Sequence, residues 1–203
     1  DGVLYIAADR VEGYDRSLFK HWIDADKNGC DTRAEVLIKE AVVKPKKGAK
    51  CVLTGGKWLS AYDGKTYTKD ASLDIDHMVP LKEAWDSGAW NWTSAQRQSF
   101  ANDLSDPRPL IAVLNSQNRS KSDKDPSNWI PKNSAYLCTY LANWVAVKAQ
   151  WGLSMDTSEW GRIKNLLNAS CATTTIAPWG SAKGASGSSS SGSAPTPADT
   201  SAP

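Results

Sequence analysis

The chain contains two histidines, and one of them stands beside an aspartate in a setting that suits hydrolysis. His77 occurs in the segment LDIDHMVP, in which apolar and acidic residues alternate. This period of two predicts a β-strand that delivers Asp76 and His77 at its end. A carboxylate can hold a divalent cation there while the neutral imidazole removes a proton from water. The other histidine, His21, lies at a predicted helix end and is interpreted as a surface or capping residue.

A second polar segment begins directly after the apolar run LIAVL, residues 110–114. The run predicts a strand, and the segment NSQNRSKSD after it predicts a helix that would bring Asn118 near Asp76. An amide oxygen can complete the shell of a hard cation. Arg119 and Lys121 could neutralise a phosphate.

Together, the motifs DIDHMVP and NRSKSD resemble those of the HNH, or His-Me finger (ββα-metal), nucleases, including the HNH domain of the RNA-guided CRISPR effector nucleases. Further segments, such as GYDRSLFKHWIDADKNGCDTRAEVL, VPLKEAWDSGA and DPSNWIP, are similar to secreted bacterial and fungal nucleases of that superfamily. The resemblance spans roughly residues 12–171.

The resemblance implies both a fold and a site. The fold would be α+β, a mostly helical domain around a two-stranded hairpin and a helix that clasp one metal ion. His77 would be the general base, and Asp76 and Asn118 would hold one Mg²⁺, with Mn²⁺ or Zn²⁺ as alternatives. The substrate would be DNA, cleaved to leave 5′-phosphates. Arg33 either reaches the active cleft as a phosphate ligand or is a buried structural arginine.

One feature of the family is missing. Its members carry an asparagine just before or within the second strand, which orients the histidine, whereas this chain has none between Asp103 and Leu114. Four groups could replace it, and the sequence does not choose among them: Asp106, the carbonyl of Pro109, Asn102 and Asn115.

The segment DADKNGCDTRAE matches the pattern of a calcium loop, D-x-[DN]-x-[DN]-G-x5-E. The predicted Ca²⁺ ligands are Asp24, Asp26, Asn28 and Glu35. The pattern occurs once, and a cysteine stands inside it. The alternative is a structural loop pinned by a disulfide, in which Asp31 or Thr32 caps a helix.

Four cysteines without C-x-x-C spacing argue against structural zinc and favour two disulfides in a secreted protein. The preferred pairs are Cys30–Cys51 and Cys138–Cys171, and each would contribute roughly 3 kcal/mol in the chain-entropy model. Asn91 and Asn168 begin glycosylation sequons. Because the chain starts at Asp1 without a signal peptide, a mature, processed form is expected. No apolar run is long enough to span a membrane.

The net charge of +2 announces no overall basic field. Local lysine clusters exist, among them Lys44, Lys46, Lys47 and Lys50, and a solvated face is their default interpretation. Residues 1–179 are predicted to form the nuclease domain, and residues 180–203, rich in Ser, Gly, Pro and Thr, a disordered tail.

Periodicity and capping signals predict helices over 14–22, 32–42, 80–88, 93–104, 134–150 and 156–168, and a hairpin of strands 51–60 and 62–68 around an Asp-Gly turn. The leading hypothesis is a secreted, monomeric, metal-dependent endonuclease that acts on DNA. Whether it also acts on RNA is left open. A secreted calcium-stabilised binding module with a degenerate nuclease site is the rival. A zinc amidase or protease is disfavoured because the chain lacks an H-E-x-x-H helix.

Overall fold

The described part of the chain contains helices and short strands, which confirms the predicted mixture of helix and small sheet. A computed structural model describes residues 4–181. In that range the helices are α1 (Thr32–Glu40), α2 (Leu81–Asp86), α3 (Ser94–Ala101), α4 (Asn115–Lys121), α5 (Leu137–Trp151) and α6 (Thr157–Ser170). The strands are β1 (Lys46–Lys47), β2 (Leu53–Thr54), β3 (Trp58–Ser60), β4 (Lys65–Tyr67), β5 (Leu73–His77) and β6 (Leu110–Leu114).

The two sequence motifs meet at one antiparallel pair of strands. β5 pairs with β6 so that Leu73 lies opposite Leu114 and His77 opposite Leu110. α4 begins at the residue after β6 and contacts both strands. The acidic end of β5 and the polar helix α4 are therefore neighbours, although more than thirty residues separate them in sequence.

Both faces of the β5–β6 pair are buried, which explains why LIAVL is apolar at every position. On one face, α1 contributes Val36 and Leu37 to a cluster with Trp58 of β3. The opposite face carries Ile111 and Val113 into the larger core, which also holds the aromatic residues of α5.

Both predicted disulfides are confirmed. Cys138–Cys171 joins the start of α5 to the residue after α6, and Cys30–Cys51 joins the loop before α1 to the segment before β2. The predicted capping box of α3 is also present, with Thr93 and Gln96 bonded reciprocally. These features depend on local spacing, which is why the sequence reveals them.

The predicted helix over 14–22 is wrong. Only the 3-10 turn Arg16–Leu18 forms there, because Asp15 caps a single turn and Trp22 adopts a left-handed φ of 57°. The predicted strand over 51–60 is also interrupted. Gly55 and Gly56 have positive φ and separate β2 from β3.

No helix within residues 4–181 has the length and apolar composition needed to cross a bilayer. The predicted tail lies outside the described residues from 182 onward. At its predicted start, the backbone N–H of Gly180 donates to Asp106.

A buried carboxyl at the end of α1 makes the stability of the fold depend on pH. Glu40 accepts a hydrogen bond of 2.7 Å from the backbone N–H of Ala112 in β6, and burial raises the pKa of Glu40 to about 8. Because the folded pKa lies above the usual 4.5, the contribution of Glu40 is full below pH 4.5 and is lost as pH rises through about 8.

We therefore expect Glu40→Gln to abolish a stability loss of about 4 kcal/mol between pH 5 and pH 9. Glutamine keeps the acceptor for Ala112 and cannot ionise. Urea unfolding of both proteins at pH 5, 7 and 9 measures the difference, and other titrating groups cancel because both proteins share them. Parallel stability–pH curves would contradict the assignment.

Candidate active site

A cleft of ≈ 180 Å³ lies beside β5 and α4. It brings together the predicted residues Asp76, His77, Asn118 and Arg119. The remaining lining residues are Arg16, Ile75, Pro80, Leu81, Ser122 and Asp123.

The imidazole of His77 is buried and held in one tautomer. Its Nε2 lies 3.0 Å from the carbonyl oxygen of Ala101, at the end of α3. A carbonyl only accepts hydrogen bonds, so Nε2 carries the proton and Nδ1 keeps a free lone pair. Burial lowers the pKa of His77 to about 3, which keeps the ring neutral at neutral pH. A neutral ring with a free Nδ1 lone pair is able to accept a proton.

In place of a side chain from the missing asparagine, the backbone carbonyl of Ala101 bonds the His77 ring. None of the four candidates bonds the His77 ring: Asp106 pairs with Arg108, the Pro109 carbonyl accepts from the backbone N–H of Met78, Asn115 begins α4, and Asn102 binds a neighbouring loop. The sequence offers no signal for this role, because any residue type supplies a backbone carbonyl.

Two aromatic rings stack on His77. Trp22 lies 5.6 Å away between ring centroids at an interplanar angle of 29°, and Phe100 lies 6.4 Å away at 18°. The left-handed φ of Trp22 is rare for a bulky residue. The rings of Trp22 and Phe100 restrict rotation of the His77 imidazole.

The Asn102 side chain fixes the loop that carries Trp22. Its Nδ2 donates to the carbonyl of Lys20 at 2.7 Å, and its Oδ1 accepts from the backbone N–H of Ile23 and the hydroxyl of Thr32. Two consecutive residues at the end of α3 therefore act on His77. Ala101 bonds its ring, and Asn102 holds the loop whose Trp22 packs on it.

Asp76 is buried, and only one of its oxygens is occupied by protein groups. Oδ2 accepts from the hydroxyl of Tyr62 at 2.5 Å and from Nζ of Lys121 at 2.7 Å. Oδ1 has no hydrogen-bond partner among the described residues. Burial raises the pKa of Asp76, and the Lys121 charge acts in the opposite direction. Oδ1 is the atom left for a ligand.

Lys121 does not have the exposed position that phosphate binding requires. Its side chain is 0% exposed, and besides Asp76 its Nζ donates to the carbonyl of His77 at 2.8 Å. It joins α4 to the end of β5. Arg33 likewise bonds protein groups, the carbonyls of Asp70 and Leu73, which agrees with the structural alternative.

The side-chain carbonyl oxygen of Asn118 has no hydrogen-bond partner among the described residues. Its Nδ2 donates to Oδ2 of Asp74 at 3.2 Å, an aspartate that the sequence did not single out. Because Nδ2 is occupied, Oδ1 remains the free acceptor. Arg119 and the unpredicted Arg16 are exposed on the cleft, and neither forms an ion pair with a described residue.

The free oxygens of Asp76 and Asn118 fit Mg²⁺ in chemical type, since this hard cation is often bound by one or two protein oxygens plus water and substrate phosphates. They do not form a closed zinc site, which needs nitrogen or sulfur ligands. In residues 4–181 no cluster of three or more His, Cys, Asp or Glu could enclose a metal ion.

The calcium loop stays a prediction. Asp24, Asp26 and Asn28 are exposed and Glu35 is half-buried. These side chains bond one another, with Nδ2 of Asn28 donating to Asp26 and Glu35 at 2.8 Å each. The structural alternative has direct contacts, because Asp31 caps α1 through the backbone N–H of Ala34. Cys30 lies in a disulfide, as expected.

Comparison with known proteins places the chain in a family. Residues 32–160, more than half of the chain, match "GmrSD restriction endonucleases, C-terminal domain". The chain belongs to this family. The match contains Asp76, His77 and Asn118, whereas Arg16 and Trp22 lie before it.

A fungal relative bears on location. A protein of Arthroderma benhamiae is 45% identical over 157 residues, which cover 77% of this chain and 76% of the relative. Its name is "Uncharacterized secreted protein". That name and the two disulfides agree with an extracellular location. No solved structure matches the chain.

Proposed function

We propose that the protein is a secreted, metal-dependent HNH endonuclease that hydrolyses phosphodiester bonds of DNA. The main support is that the cleft holds a neutral, oriented His77 next to a buried Asp76 that keeps one carboxylate oxygen free. Membership in a family of restriction endonuclease domains supports a nuclease role. The antiparallel pair of β5 and β6 followed by α4 supports the proposal, because a ββα-metal motif consists of a two-stranded hairpin and a helix.

In this mechanism His77 takes a proton from water at Nδ1 while the Ala101 carbonyl holds the proton on Nε2. The resulting hydroxide attacks phosphorus, the bond from phosphorus to the 3′ oxygen breaks, and the leaving 3′ oxygen takes a proton from solvent water. Arg119 and Arg16 bind the phosphate oxygens through their guanidinium groups. A Mg²⁺ held by Asp76 and Asn118 would neutralise charge on the phosphate and the leaving oxygen. The products carry 5′-phosphates.

A plasmid assay tests the function. We expect the protein to nick supercoiled plasmid with Mg²⁺ or Mn²⁺, to lose at least 10³-fold of its rate with a chelator, and to recover on addition of excess Mg²⁺. The nicked ends should be ligatable without added kinase, because ligase needs a 5′-phosphate. Inert protein across Mg²⁺, Mn²⁺ and Zn²⁺ would overturn the proposal and favour the binding-module alternative.

Trp22 provides a finer test of how His77 is positioned. Trp22→Ala removes the ring stacked on His77, so we expect kcat to fall by about 10-fold with KM unchanged. Trp22→Phe keeps a stacking ring and should restore most of the rate. A loss that is equal in both variants, or confined to KM, would contradict the positioning role.

A further inference from the structure

A strongly basic hairpin lies outside the cleft. Within residues 39–57 there are six lysines and one acidic residue, Glu40, which is buried. The whole chain has 24 basic and 22 acidic residues, so the remainder carries 18 against 21 and is acidic overall. Positive charge is therefore concentrated on one exposed segment: Lys39, Lys44, Lys46, Lys47, Lys50 and Lys57.

Four of these lysines have no side-chain partner within residues 4–181. Lys44 donates to the last carbonyls of α1, and Lys39 to the carbonyl of Leu104. The others form no side-chain hydrogen bond or ion pair with a described residue. We call these four the lysine patch: Lys46, Lys47, Lys50 and Lys57. Unpaired like charges repel, so a polyanion that neutralises the patch lowers its electrostatic free energy.

The backbone beneath the lysine patch is held firmly. β1 and β2 pair with Lys46 opposite Thr54, and Val43 and Lys57 form a further bridge. The disulfide of Cys51 fixes the turn at Lys50. A fixed array of charges loses less entropy on binding than a flexible basic tail would.

A short chain of contacts connects the lysine patch to the cleft. Cys51 is bonded to Cys30, with Cα atoms 5.1 Å apart. Two residues later the backbone N–H of Thr32 bonds the carbonyl of Ile23, next to Trp22, which stacks on His77. Backbone dimensions then limit the separation of Lys50 and His77 to roughly 35 Å.

We propose that the lysine patch binds the phosphate backbone of the nucleic acid whose scissile bond lies in the cleft. The proposal rests on the proposed function. One turn of B-DNA is about 34 Å, or about ten base pairs, so a duplex longer than about one turn reaches both places. The cleft performs the chemistry, and the lysine patch retains long substrates without reading their sequence.

The test compares two triple variants with equal charge loss. One is Lys46→Gln/Lys47→Gln/Lys50→Gln. Its control carries Gln at three exposed lysines elsewhere, as Lys65→Gln/Lys132→Gln/Lys164→Gln. Substrates are a duplex of about 40 base pairs, a duplex of about 8 base pairs, and bis(p-nitrophenyl) phosphate. Binding of the long duplex is also measured without divalent metal, as a function of salt.

In the patch variant we expect KM for the long duplex to rise about 10-fold at low salt. KM for the short duplex and for bis(p-nitrophenyl) phosphate should not change. The slope of log K against log salt should fall by about 3, at roughly 0.9 per lost phosphate contact. A patch variant that matches its control on the long duplex overturns the proposal. So does a loss of heparin binding with DNA binding unchanged, which would assign the surface to polysaccharide.

The salt titration keeps this proposal separate from the proposed function. If the wild type hydrolyses no substrate, the nuclease function fails, and the same binding slopes still decide whether the lysine patch binds DNA. If hydrolysis is intact and the slopes of the two variants agree, the nuclease function stands and the lysine patch is a solvated face.

Discussion

Replacing His77 by alanine is expected to lower kcat for plasmid nicking by about 10³-fold while the affinity for DNA changes little. General-base catalysis contributes about 10² to 10⁴ in rate, and His77 is the one imidazole that lines the cleft among the described residues. KM should be unaffected, because a neutral imidazole contributes no charge to the binding of a phosphate. Initial rates over a range of plasmid concentrations separate the two constants.

Two comparisons distinguish a base from a structural histidine. His21→Ala removes the other imidazole, whose Nδ1 bonds the carbonyl of Phe19, and we expect a change of a few-fold at most. Added imidazole should restore part of the rate of His77→Ala, since the deleted ring leaves a space between Trp22 and Phe100. Absence of rescue together with a matching loss of stability would assign His77 to packing.

The sequence predicts those parts of the site that local pattern determines. Alternation along LDIDH predicts a strand ending at His77, and the structure has that strand as β5. The polar segment after LIAVL predicts the helix that carries Asn118, and the structure has it as α4. Cysteine spacing gives the disulfides for a similar reason, because each pair closes a short loop.

Tertiary contacts determine what the sequence cannot reveal. Lys121 looks like an exposed cation on a polar helix, but α4 packs that face against β5 and buries the amine. Tyr62, in the β3–β4 turn, is distant in sequence from the Asp76 that it bonds. The left-handed backbone at Trp22 opposes the helical pattern around it, and tertiary contacts hold this conformation: packing on His77 and the hydrogen bonds of Asn102 to Lys20 and Ile23.

The buried pair of Lys121 and Asp76 leads to the largest expected effect on stability. Lys121→Met keeps an unbranched side chain of similar length and removes the charge, so Asp76 stays buried without its ion-pair partner. Removing one partner of a buried pair costs about 3–5 kcal/mol. Urea unfolding measures the loss. Lys124→Met is the matched control, because Lys124 is exposed and should change stability by less than about 0.5 kcal/mol.

A second substitution separates the two tasks of Asp76. In the double variant Asp76→Asn/Lys121→Met, no uncompensated charge remains, so at least half of the lost stability should return. This double variant should have no nuclease activity, because the asparagine amide lacks the charge with which Asp76 would bind Mg²⁺. Restored folding without restored cleavage would show that Lys121 serves to keep a carboxylate ionised inside the protein. If the double variant were as unstable as Lys121→Met alone, packing and not charge would explain the burial of this lysine.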